Sequence, residues 1–151
     1  FRLSSDPQTD WKFDKRVMDG CSSRRPDCLM DLGYQVIMIE CDENQHRDYD
    51  CSCENKRLVQ LSIDVYHRPV VFIRFNPDKF TDSRGFTVTS CFAKNRSGFM
   101  VLKASKTKEW AYRLNTLKQT IDYWITNKTE KMIEVIELFF DKYFHHPTYT
   151  K

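Results

Sequence analysis

The chain has 151 residues, of which 40% are hydrophobic and 14% aromatic, enough apolar material for one domain with a buried core. No apolar run approaches the length of a membrane-spanning helix, and no secretory leader is visible, which argues against a membrane protein. The net charge is only +3, so any affinity for polyanions has to come from local clusters of basic residues.

The six cysteines are an even number, which is typical of disulfide-linked secreted domains. Cys51 and Cys53, however, are too close in sequence to link distant elements, and a chain of this length can fold without cross-links. We therefore expect a reduced, intracellular protein of the nucleus or cytoplasm. The sequence begins at Phe1 rather than Met, so we keep a larger parent polypeptide as one alternative. A homodimer is another.

The first third of the chain predicts a polar lead-in followed by a β-hairpin. Residues 1–20 are polar, and we expect an irregular or short helical segment there. Residues 28–31 and 34–42 predict two strands, joined at residues 31–33 where a glycine permits a tight reversal. The sheet is therefore expected to begin antiparallel.

The middle of the chain predicts a helix and a second buried strand. Leu58, Leu61 and Val65 recur at helical intervals and predict a helix over residues 50–64. Residues 70–75 form an apolar run that ends at an Asn-Pro-Asp turn and predict a strand. A hairpin, a helix and a returning strand indicate a crossover unit and hence an α/β fold.

The last part of the chain predicts a second pair of strands and then helices. Residues 86–92 and 99–103 flank a turn at 95–98 and predict a hairpin. Apolar residues then recur at helical spacing over residues 105–144, which predicts a helical C-terminal third. One stripe consists of Trp110, Leu114, Leu117, Ile121 and Trp124 or Ile125, and the other of Ile133, Ile136, Phe139, Phe140 and Tyr143.

Acidic side chains follow the apolar strand of the first hairpin. Glu40 and Asp42 are two residues apart and share one side of that strand, with Glu43 next to them. Asp27 begins the neighbouring strand and can converge with them. Burying charged carboxylates at the edge of a core costs free energy unless a cation is near them. Carboxylates are also the ligands that Mg²⁺ or Mn²⁺ prefers. Asp27, Glu40 and Asp42 are therefore our predicted metal ligands for phosphodiester hydrolysis.

Three further side chains near these acids are candidates for proton transfer. His46, with Gln45 beside it, can position or deprotonate a water, since the ordinary pKa of histidine lies near neutrality. Lys56, on the predicted helix, offers an ammonium to the scissile phosphate or to the water. The sequence leaves the choice between these groups open.

These residues together resemble the PD-(D/E)XK nuclease superfamily. Within it the pattern is similar to very-short-patch-repair-like nucleases and related homing endonucleases, whose strand ends in an acid-x-acid stretch followed by a histidine. The resemblance covers residues 24–78. Its motifs are Arg25-Pro26-Asp27, Ile39-Glu40-Cys41-Asp42-Glu43-Asn44-Gln45-His46, Tyr49, Glu54-Asn55-Lys56-Arg57-Leu58 and the strand at 69–75.

The resemblance implies a small mixed β-sheet core with flanking helices, like that of restriction endonucleases, and a Mg²⁺-dependent DNA endonuclease. It implies Asp27 as the principal metal ligand, Glu40 and Asp42 as further acids, and His46 as the group that handles water. One departure is clear: Asp42 stands where the superfamily usually has its lysine. Lys56 or His46 therefore has to take the role of that lysine.

Basic residues near these motifs are candidates for binding DNA phosphates. They are Arg24, Arg25, Arg57, Lys94 and Arg96. Solvated surface charge is the simpler explanation for such clusters, so the sequence leaves both readings open.

Two alternatives to the enzyme use the same residues. A catalytically inactive module with a nuclease-like fold would bind nucleic acid without cleaving it. A zinc-stapled interaction domain would use Cys41, Cys51, Cys53 and His46, since thiolates and imidazole are preferred zinc ligands. The single residue between Cys51 and Cys53 fits this poorly, because paired zinc cysteines are usually separated by about two to four residues.

Overall fold

A five-stranded mixed sheet forms the centre of the computed structural model, which describes residues 11–17, 20, 24–46 and 51–142. The strands are β1 (Trp11–Phe13), β2 (Cys28–Asp31), β3 (Val36–Cys41), β4 (Val70–Phe75), β5 (Phe80–Thr81), β6 (Thr87–Val88), β7 (Phe92–Lys94), β8 (Met100–Leu102) and β9 (Ile133–Leu138). The helices are α1 (Cys51–Asp64) and α2 (Thr107–Thr126), with 3₁₀ turns at Glu43–His46 and Ala104–Lys106. The central sheet has the order β1-β2-β3-β4-β9, and β5-β6 and β7-β8 form two separate hairpins.

The sheet begins antiparallel, as the sequence predicts, and its later strands are parallel. Strands β1, β2 and β3 are antiparallel neighbours, whereas β3, β4 and β9 run parallel. The turn between β2 and β3 contains Gly33, which has a left-handed φ of 77°. Glycine adopts this conformation at little energetic cost because it has no Cβ. The Asp31 carboxylate accepts a hydrogen bond from the Gly33 N–H at 2.8 Å, which holds the reversal.

Alternating side chains give the sheet two apolar faces, one covered by each helix. On one face Met38 and Phe72 pack with Leu61 of α1. On the other face Ile37 and Ile73 pack with residues of α2, including Leu117 and Ile121. Strand β4 is buried on both faces along its whole length, which explains its uninterrupted apolar sequence. The predicted helix over 50–64 and the predicted strand over 70–75 are both confirmed.

The second predicted C-terminal helix is wrong, because residues 133–138 form strand β9. This strand pairs in parallel with β4, from Val70↔Ile133 to Phe75↔Leu138. A six-residue run with several β-branched residues satisfies helical and extended spacing equally. The long-range partner decides between them: the backbone groups along the edge of β4 require hydrogen bonds, and β9 supplies them. Among the described residues of the predicted helical third, α2 is the one long helix.

Two smaller predictions also differ from the structure. The lead-in expected to be irregular or helical contains β1, which pairs Trp11 with Met30 and places the indole against the core. The strand predicted over 86–92 is divided between two hairpins: Thr87–Val88 pairs with Phe80–Thr81, and Phe92–Lys94 pairs with Met100–Leu102. Glycines at both turns favour two local reversals over one long hairpin. In the described ranges, no helix has the length and apolar character required to cross a membrane.

Candidate functional site

A row of charged residues crosses the sheet at the carboxyl ends of β3 and β4. In the parallel registers Glu40 lies opposite Arg74, and Arg74 lies opposite Glu137. Asp27 precedes the Cys28↔Ile39 pair of the β2–β3 hairpin, which brings it next to Glu40. Because Met38 and Phe72, two residues earlier on their strands, pack on the α1 side, Glu40 and Arg74 face α1 as well. Ligands of open α/β sheets typically bind at this end.

Glu40 is a buried carboxylate with an arginine partner from α1. It is 7% exposed, and Nη2 of Arg57 donates to both of its oxygens, at 2.9 and 2.8 Å. Burial raises the pKa of Glu40 to about 7, which outweighs the lowering by Arg57; the negative charges of Asp27 and Asp42 raise it further. Glu40 can therefore take up or release a proton near neutral pH.

Asp42 belongs to an ion-pair network inside the protein. It is 2% exposed and accepts a hydrogen bond from Nε of Arg74. Nη1 of Arg74 also donates to Glu137 at 3.2 Å, and its guanidinium lies over the ring of Phe140 at 5.1 Å. Asp42 is thus already paired with a cation of the protein itself.

Asp27 is the exposed member of the acidic group. Its Oδ2 accepts a hydrogen bond from the backbone N–H of Cys41 at 2.7 Å, which fixes the carboxylate beside the end of β3. The structure therefore brings Asp27 and Glu40 together at the surface end of the row and directs Asp42 toward Arg74.

The 3₁₀ turn Glu43–His46 is held by contacts from two other segments. Asn44 and Gln45 have left-handed φ values of 53° and 58°, and the Asn44 N–H donates to Oδ2 of Asp78 at 3.0 Å. The Gln45 amide donates to the carbonyl of Lys79 at 3.1 Å and accepts from the N–H of Asp141 at 2.8 Å. Gln45 therefore positions the turn. The side chain of His46 lies outside the described residues.

The predicted basic residues are distributed over two regions. Near the acids, Arg57 also donates to the carbonyl of Arg25 at 3.0 Å, and Nε of Arg24 donates to Gln60 of α1 at 3.0 Å. Lys56 is exposed on α1, one residue before Arg57. Lys94 and Arg96 are exposed on the β7–β8 hairpin, which is a separate element.

Two arginines contact the buried acids, and sequence reasoning missed Arg74 altogether and the Glu40 contact of Arg57. Arg74 is the one charged residue in the apolar run of β4, and a charge in a fully buried strand almost always has a partner. That signal was available in the sequence. Arg57 was predicted to bind nucleic acid, but its place on α1 opposite Glu40 depends on how the helix rotates against the sheet, which the sequence does not reveal.

The oxygen chemistry of Asp27 and Glu40 fits a hard divalent cation such as Mg²⁺ or Mn²⁺. Within the described ranges, no group of three or more His, Cys, Asp or Glu side chains is placed to hold a metal ion. Asp42, the third predicted ligand, is paired with Arg74. Arg57 donates to both oxygens of Glu40, so Glu40 would coordinate a cation only if Arg57 released at least one of those oxygens, and water or substrate would fill the other positions.

Two thiols lie near the acids. Burial raises the pKa of Cys41 to about 12 and that of Cys28 to about 11, so both are protonated at neutral pH in the metal-free protein. The side chains of Cys51 and His46, which the zinc hypothesis also requires, lie outside the described residues.

No protein-family model, curated protein or solved structure matches the chain. The chain is a mixed α/β protein with a buried acid and an exposed acid side by side at the carboxyl end of its parallel strands.

Proposed function

We propose that the protein is a metal-dependent endonuclease that hydrolyses phosphodiester bonds in DNA. One observation carries the proposal: Asp27 and Glu40 lie side by side at the carboxyl end of the sheet, with Arg57 against the buried member. A desolvated carboxylate beside a second one is costly to keep charged, and a divalent cation relieves that cost. The sequence resemblance to PD-(D/E)XK nucleases supports the same assignment.

In this proposal Asp27 and Glu40 hold Mg²⁺ or Mn²⁺, which when bound supplies charge neutralisation at the phosphate and a more acidic water. Arg57 keeps the Glu40 carboxylate in place and brings a positive charge to the phosphate. Asp42 and Arg74 act as positioning residues that hold the end of β3. His46 or Lys56 takes the proton of the attacking water, and the two remain alternative general bases.

A plasmid-nicking assay tests the proposal directly. The wild-type chain should nick supercoiled DNA with Mg²⁺ or Mn²⁺ and not with EDTA. Asp27→Asn and Glu40→Gln should each lower the rate by roughly 100-fold or more, the size typical of lost acid–base or metal-binding groups. Asp122→Asn, a matched change of an exposed acid on α2, should keep the wild-type rate. Wild-type protein without nicking activity, or active Asp27→Asn and Glu40→Gln variants, would contradict the proposal.

The ion pair between Arg57 and both oxygens of Glu40 favours one second candidate, a nucleic-acid-binding module without catalysis. If the arginine permanently neutralises Glu40, no cation is needed there. This candidate predicts DNA binding in EDTA that weakens with salt, together with no nicking under any metal condition. The nicking assay therefore separates the two functions.

A further inference from the structure

The β5–β6 hairpin has a tip built around one acidic side chain. Oδ1 of Asp82 accepts the N–H groups of Arg84 and Phe86 at 2.9 and 3.0 Å. In the backbone, the N–H of Gly85 donates to the carbonyl of Asp82 at 3.0 Å and that of Asp82 to the carbonyl of Phe86 at 2.9 Å. Gly85 has a φ of 86°, a left-handed position that suits glycine.

The β7–β8 hairpin repeats this tip. Oδ1 of Asn95 accepts the N–H groups of Ser97 and Phe99 at 2.9 and 3.0 Å. The N–H of Gly98 donates to the carbonyl of Asn95 at 3.0 Å and that of Asn95 to the carbonyl of Phe99 at 2.8 Å, and Gly98 has a φ of 83°. The two tips are copies of one structure, Asx-x-x-Gly-Phe, and each contains an arginine, Arg84 or Arg96.

Each tip exposes a phenylalanine that does not contribute to the core. Phe86 is 65% exposed and Phe99 is 71% exposed. The phenylalanines at the bases of the same hairpins pack inward instead: Phe80 lies at 5.5 Å from the ring of Phe139 and Phe92 at 4.8 Å from that of Trp110. In both copies, therefore, one half-buried aromatic ring packs inward and another is exposed to solvent.

The region that contains the hairpins is the most basic part of the chain. Residues 79–108 contain seven lysines and arginines and one acid, Asp82, a net charge of +6, while the rest of the chain has a net charge of −3. In the first tip, the guanidinium of Arg84 lies over the ring of Phe86 at 5.4 Å. Exposed aromatic rings among positive charges fit a polyanion with flat, stackable groups.

The hairpins are attached to the end of the sheet that carries the candidate site. The hydroxyl of Ser90, between β6 and β7, donates to Oδ1 of Asp78 at 2.9 Å, and the other oxygen of Asp78 accepts the N–H of Asn44 in the turn after β3. Nζ of Lys103 donates to the Ser90 carbonyl at 2.8 Å. These hydrogen bonds connect the segment between the two hairpins, through Asp78, to the turn after β3.

We propose that the two hairpins, here called the hairpin arm (residues 80–102), bind a nucleic-acid strand with unpaired bases. Arg96 contacts its phosphates, and Phe86 and Phe99 stack on its bases. Arg84 differs from Arg96 because its Nε and Nη2 donate to Oδ2 of Asp82 at 3.0 and 2.8 Å. In a duplex the faces of the bases are covered by their stacked neighbours, so aromatic side chains stack best on unpaired bases. The inference rests on the proposed function and narrows its substrate to DNA with single-stranded or unpaired segments.

Binding of fluorescent oligonucleotides to the full chain in EDTA tests the hairpin arm without any cleavage. The wild-type chain should bind a single strand at least fivefold more tightly than a blunt duplex of the same length. Phe86→Ala and Phe99→Ala should each weaken single-strand binding by about tenfold, the typical effect of losing one stacked base. Arg96→Gln should lower the slope of log affinity against log salt by about 0.7, and Arg84→Gln should lower it by less, because Arg84 is paired with Asp82.

Matched variants on α2 control for the chemical change itself. Tyr123→Ala removes an exposed ring and Lys118→Gln an exposed charge, and both should stay within twofold of wild type. Phe86→Leu and Phe99→Leu keep the apolar bulk and any folding contribution but remove the flat ring, so they should bind as weakly as the alanine variants.

Either of two results would overturn the proposed role of the hairpin arm. One is that the leucine and alanine variants of Phe86 and Phe99 bind single strands as tightly as wild type, and the other is that the wild-type chain prefers the blunt duplex. Binding to anionic phosphatidylserine vesicles without binding to oligonucleotides would overturn it as well. A failure of the nicking assay together with intact aromatic-dependent binding would reject the nuclease and keep the proposed binding by the hairpin arm.

Discussion

Glu40 illustrates how one buried side chain links the fold to the candidate chemistry. It ends an apolar strand, so folding removes its carboxyl group from water and raises its pKa from 4.5 to about 7 despite the contact with Arg57. The folded protein therefore binds the Glu40 proton more tightly than the unfolded chain does. The free energy of unfolding must fall as the pH rises through this window.

We predict that Glu40→Gln removes this pH dependence. Relative to the variant, wild-type protein should lose roughly 2 to 3 kcal/mol of unfolding free energy between pH 4 and pH 8, since one pKa unit corresponds to about 1.4 kcal/mol. Urea unfolding in EDTA at several pH values measures the difference. Glu130→Gln, which changes an exposed glutamate after α2, should keep the wild-type pH dependence, and an unchanged dependence in Glu40→Gln would refute the assignment.

Arg57 and its neighbour Lys56 on α1 allow a second test of how the pKa of Glu40 is set. Arg57→Met removes the contact that lowers the pKa of Glu40, so the pH-dependent loss of stability should move to higher pH. At pH 8 the variant should be destabilised by roughly 1 to 2 kcal/mol, because wild-type Glu40 is ionised beside Arg57 whereas Glu40 of the variant stays protonated. Lys56→Met changes the exposed neighbour and should cost less than about 0.5 kcal/mol. Equal effects of the two substitutions in urea unfolding would show that Arg57 has no special role.

At the scale of elements, the sequence predicts what depends on local pattern and misses what depends on distant partners. The β2–β3 hairpin, α1 and β4 follow from the turn glycine, the helical spacing and the apolar run, and the structure confirms them. Strand β9 has no such local signature. Its extended state depends on pairing with β4, more than fifty residues earlier in the chain.

The loop after β4 depends on one buried arginine of α2. Arg113 is fully buried, and its Nη1 donates to the carbonyls of Pro77 and Asp78 at 3.0 and 2.7 Å. Its Nε pairs with Glu109 at 2.9 Å. Within the described ranges Nη2 has no hydrogen-bond partner, and the guanidinium lies over the ring of Phe80 at 5.0 Å. This loop supports the turn that carries the predicted proton carrier.

Arg113→Met should destabilise the protein by roughly 3 to 5 kcal/mol, because it leaves buried carbonyls and Glu109 without their donor. Thermal or urea unfolding gives the value. Lys118→Met on the same helix breaks an exposed ion pair and should change the stability by at most about 1 kcal/mol. A cost for Arg113→Met as small as that of Lys118→Met would contradict the role of the arginine in fixing the loop.

For the whole molecule, the sequence indicates which acids matter but not how they are arranged. The hairpin pattern predicts that Asp27 and Glu40 meet, and the strand registers bring them together. Asp42 instead pairs with Arg74, which lies across the β3–β4 register from Glu40. Which of several carboxylates pairs with a protein cation and which faces solvent is settled by tertiary packing, and single-sequence spacing carries no information about it.

The Asp27–Glu40 pair also makes a prediction for the stability of the whole chain. A cation that binds only the folded protein stabilises it by mass action, by about 1.4 kcal/mol at a concentration tenfold above its dissociation constant. For a chain of this size that corresponds to a rise of roughly 3 to 5 °C in melting temperature. We expect Mg²⁺ to produce this rise at pH 8, where Glu40 is largely ionised, and a smaller rise at pH 5.5, where its proton competes with the metal. Sodium chloride at matched ionic strength and the Asp122→Asn variant are the controls. An equal Mg²⁺-dependent rise in Asp27→Asn would mean that the metal binds elsewhere on the protein.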